Sequence, residues 1–134
     1  MKPLSKFAIS VGIFTIIGPL VGNAVLGLWL ALEGGFAELP SVFVLTLGLA
    51  YFSGILPACT AGILFGAIIN KYNLRSVPSI IIGLMAGAAT TALISSLLYE
   101  GISSREEMNL LVSIGAISGA ICGLIVWRIV REVA

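Results

Sequence analysis

Four stretches of this sequence, 7–32, 41–69, 79–99 and 110–130, are almost free of charge. Each reaches or exceeds the roughly 20 residues that a helix needs to cross about 30 Å of hydrocarbon. In lipid every backbone amide and carbonyl must find its partner within the chain, which drives such stretches into spanning helices. The expected fold class is therefore all-α, an integral membrane four-helix bundle of glycine-rich, tightly packed spans forming one transmembrane domain over residues 1–134. The composition agrees: 59% of residues are hydrophobic and 10% charged, against about 25% charged in an ordinary soluble domain.

Between the stretches stand short polar connections. Glu33-Gly34-Gly35 and Pro40 bracket the first, and Asn70-Lys71-Tyr72-Asn73 with Arg75 and Pro78 forms the second. Glycine, asparagine and proline in these places read as turns that end one helix and start the next. In the third connection, Ser104 followed by Glu107 has the spacing of a capping box, so the fourth helix is expected to begin before its apolar part.

Basic residues in short loops bias those loops toward the cytoplasm. Lys2, Lys6, Lys71, Arg75, Arg128 and Arg131 fall on one side of the expected bundle, and Arg105 alone falls on the other. Both termini and the middle loop are thus expected on the cytoplasmic side of a bacterial cell inner membrane, an asymmetry that argues against insertion in both directions. Trp29, Phe36 and Tyr99 near one boundary, with Phe7, Tyr72 and Trp127 near the other, suit an interfacial aromatic belt. The basic start, Met1 to Lys6, resembles a signal peptide, but the apolar run after it exceeds an h-region of about 7–15 residues and reads as a retained first span.

Each connection is about ten residues or fewer, which leaves no room for a soluble catalytic, nucleotide-binding or nucleic-acid-binding domain. Histidine and aspartate are absent, and every acidic residue is a glutamate outside the apolar runs. That excludes most metal and heme ligation, and no cofactor is expected. Cys59 and Cys122 lie inside apolar runs and read as small packing residues. No acid–base pair accompanies them, so no catalytic residue is assigned and an enzyme is not expected.

Small residues recur every fourth position. They are Gly18 and Gly22 in the first span; Ala50, Gly54, Ala58, Gly62 and Gly66 in the second; Gly83, Gly87, Thr91 and Ser95 in the third; and Gly115, Gly119 and Gly123 in the fourth. At this GxxxG-type spacing they flatten one helix face and let backbones approach closely. Most of these faces are expected to pack inside the bundle. At least one, in the second or fourth span, is expected to face outward as a ridge for a second copy or a membrane-protein partner.

Pro19 and Pro57 each remove a helical hydrogen bond, to the carbonyls of Thr15 and Ser53 respectively. Because the first two spans are antiparallel neighbours, both bends fall at similar depth, together with Asn23 and Thr60. Thr15, Pro19, Asn23, Ser53, Pro57 and Thr60 are thus the expected hinge or polar midplane cluster. Such a cluster serves either as re-satisfied structural bends or as a small polar binding site.

No Asp, Glu, Lys, Arg or His stands well inside a span, which argues against proton-coupled or charge-coupled transport. A small multidrug transporter would carry a glutamate inside the first span, and none lies between Lys6 and Glu33. Asn23 resembles the pore asparagine of dual-topology fluoride channels, but the one-sided basic charge opposes dual insertion. Gly18 to Gly22 also echoes Gly83 to Gly87, and Gly62 to Gly66 echoes Gly119 to Gly123, as a parallel repeat of two hairpins would. The leading expectation is a non-enzymatic multi-pass protein acting by helix-face association, as a homo-oligomer or as the membrane subunit of a larger complex. The alternative is a small uncoupled channel or permease for a neutral or weakly hydrated solute.

Overall fold

The computed structural model of the chain describes residues 3–35, 39–72, 75–98 and 105–133. Among them stand four α-helices: α1 (Pro3–Gly34), α2 (Leu39–Lys71), α3 (Ser76–Leu98) and α4 (Arg105–Val133). α1, α2 and α4 cover their predicted spans, extended by a few residues at their polar ends, and α3 covers its span through Leu98. All four are long and apolar enough to cross a membrane. Phe36, Tyr99 and the capping residue Ser104 lie outside the described residues.

The helix ends follow from local chemistry. Gly35, at φ +102°, adopts the left-handed conformation that glycine reaches without a Cβ penalty, and its amide donates to the Ala31 carbonyl at 2.8 Å. Pro40 occupies the first turn of α2, where a missing amide hydrogen leaves no helical bond unmade. Glu106 and Glu107 sit in the first turn of α4 and Arg131 in its last, matching the helix dipole at both ends.

The helices run up and down in sequence order around a square. α1 packs on α2 and α4, α3 packs on α4 and α2, and the diagonal α2–α4 contact is slight. Within each hairpin the approach is a backbone approach. A methyl built at Gly83 would overlap the Gly119 carbonyl, one at Gly119 would overlap the Gly83 carbonyl, and one at Gly87 would overlap the Gly115 carbonyl. Gly123 extends this contact to Ser79, whose carbonyl would lie 2.6 Å from an added Cβ. In the α1–α2 hairpin, Gly62 meets the Val11 backbone and Phe14, Gly66 meets Phe7 and Ser10, and Gly54 meets Pro19.

These contacts correct one expectation. The ladder glycines Gly54, Gly62 and Gly66 of α2 face α1, and Gly115, Gly119 and Gly123 of α4 face α3, so neither ladder forms an outward ridge. What faces outward is bulky and apolar: Leu45 is 83% exposed and Phe52 85%. Contiguous apolar surface of this kind suits hydrocarbon surroundings, not water.

Both prolines lie within continuous helix, Pro19 in α1 and Pro57 in α2. The core is concentrated toward the Arg131 end of the bundle. There Phe14, Phe65, Ile69, Cys122, Val126 and Val130 form a buried cluster, with the Phe14 and Phe65 rings 5.3 Å apart and tilted by 34°.

Candidate binding cavity

The axis of the bundle is filled at one end and empty at the other because the side chains facing it change size. Toward the Arg131 end they are phenylalanine, isoleucine and valine. Toward the Glu107 end Gly18, Gly22, Ala50, Gly54 and Gly115 stand among Leu26, Leu110, Leu111 and Ile114 and leave the axis open. The result is a cavity of about 480 Å³ walled by all four helices. It reaches from Phe14, Ala61 and Gly119 at mid-bundle to Ser95 and Glu107.

The wall is mainly apolar, and four of its polar side chains, Asn23, Ser53, Thr90 and Ser118, are engaged with the helices themselves. Asn23, 1% exposed, donates from Nδ2 to the Phe43 carbonyl at 3.0 Å and accepts from the Thr46 hydroxyl at 2.7 Å. That single hydroxyl proton is shared with the Val42 carbonyl, also at 2.7 Å. The Thr90 hydroxyl donates to the Ala86 carbonyl at 2.7 Å, and the Ser53 hydroxyl donates to the Leu49 carbonyl at 2.8 Å. Ser118 reaches across from α4 to the Gly18 carbonyl of α1 at 2.7 Å.

Two of the bonds between helices gather around Pro19. The Tyr51 hydroxyl donates to the Ile16 carbonyl at 2.7 Å, and Ser118 takes the Gly18 carbonyl. A carbonyl has two lone pairs, so each can accept a side chain in addition to any helical amide. Neighbouring helices thus bind the backbone on either side of the Thr15 carbonyl that Pro19 frees, at Ile16 and Gly18, and not that carbonyl itself.

Of the polar cluster expected at midplane, Pro19, Asn23, Ser53 and Pro57 line the cavity together. Thr15 and Thr60 do not. The Thr15 hydroxyl is buried without a partner, whereas Thr60 is exposed on α2 and bonds the carbonyls of Leu56 and Pro57 in its own helix. The ladder residues have two roles: Gly18, Gly22, Gly54, Ala58, Gly87, Gly115 and Gly119 border the cavity as well as the helix contacts. Gly62, Gly66, Gly83 and Gly123 serve packing alone.

Sequence reasoning missed Ser118, Tyr51, Thr46 and Thr90. A hydroxyl in an apolar run was the available signal for each, but it did not say which helix the hydroxyl would reach. Cys59 and Cys122 are free thiols, the latter fully buried in the core cluster.

At the Arg131 end, the Lys71 ammonium lies 5.6 Å from the Tyr72 ring centre, and the Arg131 guanidinium lies 5.4 Å from that of Trp127. Arg128 pairs with Glu132 at 3.0 Å, both well exposed. An exposed pair of this kind adds little stability. No protein-family model, curated protein or solved structure matches the chain.

Proposed function

We propose that this chain is a four-span membrane protein, with both termini on the cytoplasmic side, that admits a neutral, weakly hydrated molecule between its hairpins as a small uncoupled channel or permease. The observation carrying this reading is the cavity, walled by all four helices and stopped at mid-bundle by Phe14 and the core beyond it. Among the described residues Glu107 is the one charged residue on its wall, and it stands at its rim. A charged solute entering past that rim would find no partner to offset its desolvation.

The packing also supports a moving part. Each hairpin is locked by backbone contact, whereas the seam between hairpins rests on side chains such as Ser118 on Gly18 and Ile114 on Gly22. Rocking one hairpin against the other would part Phe14 and Phe65 of the first from Cys122 and Val126 of the second while leaving each hairpin intact.

Basic residues at one end of the bundle support the orientation, which would place Lys71 and Arg131 at the cytoplasmic face of an inner membrane. Purified protein in lipid vesicles should speed the efflux of uncharged solutes, from glycerol to a weakly polar dye, and Ser53→Trp should block it. Rates equal to those of empty vesicles across the panel would end the permease reading. Impermeant thiol reagents, applied to cells carrying single cysteines at Arg105 or Tyr72 in place of both native cysteines, should label Arg105→Cys alone.

A second reading, association through a helix face with a second copy or a membrane partner, draws on Gly48. It lies on the exposed side of α2 among Val44, Leu45, Leu49 and Phe52, and an added Cβ would meet nothing within 4 Å. Gly48→Ile should convert an oligomer to monomer in mild detergent if this face is used.

A further inference from the structure

We infer that the cavity is a site for a single unbranched hydrocarbon chain, supplied by an amphiphile of the leaflet at the Glu107 end and admitted sideways between α2 and α3. This rests on the reading that the cavity takes a ligand, and it names the ligand's chemistry and route.

The wall chooses the chemistry. The hydroxyls of Ser53, Thr90 and Ser118 donate to helix carbonyls and the Asn23 amide is spent on α2, while Thr91 and Ser95 add two further hydroxyls toward the Glu107 end. A hydrated solute would lose its water and find few groups to replace it, whereas a hydrocarbon loses nothing. A mainly apolar site of about 480 Å³ is of the size that encloses one small organic molecule.

The depth chooses the leaflet. Along α4 the cavity extends from Glu107 to Gly119, twelve residues and so about 18 Å. One leaflet contributes half of a hydrocarbon core of about 30 Å, or about 15 Å. A chain whose head stays level with Glu107 would therefore end at mid-bundle, where Phe14 closes the axis.

The seams choose the route. On the α1–α4 side the wall is closed well into the half nearer Glu107: Ser118 bonds Gly18, and an added methyl on Gly22 would lie 3.3 Å from Ile114. Between α2 and α3, the shared buried cluster lies in the other half, where Phe65 and Ile69 join Ile82 and Ala86. Nearer Glu107, Ala50 and Ser53 of α2 and Thr91 and Ser95 of α3 border the cavity. Ser53 is exposed although it lines the cavity, which puts an opening beside it.

The test uses the full chain in phosphatidylcholine vesicles containing either a phospholipid with a diazirine midway along one acyl chain or a free fatty acid carrying the same group. After irradiation, insertion sites are mapped by mass spectrometry. Expected is labelling of Leu111 and Ile114 on the inner wall, reduced at least five-fold by Ser53→Trp and by Ala50→Phe, while labelling of Leu45 and Phe52 on the outer surface stays unchanged. That unchanged surface labelling also reports that each variant is folded.

Wall labelling from the phospholipid supports a chain drawn from the bilayer itself, and wall labelling from the fatty acid alone supports the same site supplied by a free acid. Labelling confined to Leu45, Phe52 and other exposed residues overturns the inference. If vesicle efflux is blocked by Ser53→Trp in that case, the cavity still conducts a solute and only the hydrocarbon chain is refuted. Wall labelling without any efflux refutes the permease and keeps the chain site.

Discussion

Ser118 on α4 donates its hydroxyl proton to the Gly18 carbonyl on α1 at 2.7 Å, tying the two hairpins together one residue before Pro19. The pair is buried, and its partners are 100 residues apart in sequence. Side-chain hydrogen bonds between membrane helices contribute about 0.6 kcal/mol on average and up to about 1.7. Ser118→Ala should therefore lower stability by about that amount in a reversible detergent unfolding assay. Because this bond crosses the seam and not a hairpin, the same substitution should raise solute efflux if the hairpins rock. A stability loss with unchanged efflux would show that the tie is structural only.

Gly119 and Gly12 make opposite predictions from the same substitution. A methyl on Gly119 would overlap the Gly83 carbonyl and lie 3.0 Å from its carbon, both backbone atoms that cannot swing aside. Overpacking of this kind costs about 1–3 kcal/mol and here falls at the upper end. Gly12 has nothing within 4 Å of an added Cβ, so Gly12→Ala should be neutral or stabilise by up to about 1 kcal/mol through helix propensity. Thermal unfolding of the two variants, followed by exposure of a thiol such as Cys122, compares them directly.

The contrast also marks what the sequence makes legible. Four long apolar runs and a four-residue glycine period lead directly to four helices and to their close approach, because both depend on the chain's own geometry. The direction of each ladder was not legible. A helix in a membrane protein is apolar on its buried and its lipid-facing sides alike, so Leu49 and Phe65 look equivalent in sequence although the first is 69% exposed and the second fully buried. Without a polar face, nothing told that Gly115, Gly119 and Gly123 turn inward to α3. Thr60 and Ser118 were indistinguishable for the same reason, each a hydroxyl in an apolar run, one bonded within its own helix and the other reaching across the bundle. The cavity was equally hidden, since it arises where small residues of four separate helices coincide at one depth.

Asn23 and Thr46 offer a measurement of the α1–α2 contact. The Thr46 hydroxyl donates to Asn23 Oδ1 at 2.7 Å, and Asn23 Nδ2 donates to the Phe43 carbonyl at 3.0 Å. Asn23→Leu removes both bonds, whereas Thr46→Val leaves a buried amide oxygen without its donor. In a double-mutant cycle the two changes should couple by about 0.5–1.5 kcal/mol. A coupling indistinguishable from zero would mean that Thr46 keeps its proton on the Val42 carbonyl at 2.7 Å and that Asn23 is held by Phe43 alone.

Phe14 tests whether the aromatic stop is a gate or only a core. It is 2% exposed, its ring lies 5.3 Å from that of Phe65, and it forms the floor of the cavity where the packed end begins. Removing a buried phenylalanine ring costs about 3–5 kcal/mol in a soluble core, so Phe14→Ala should unfold at clearly lower temperature whatever its function. The functional readout is separate. Truncating the ring extends the empty axis into the cluster that holds Phe65, Cys122 and Val126. Efflux of small uncharged solutes should then rise several-fold over the unaltered protein, with Phe14→Leu intermediate because it keeps part of the volume. If both variants lose stability in that order while efflux stays at the original rate, the barrier lies elsewhere and the Phe14–Phe65 pair is a packing contact alone.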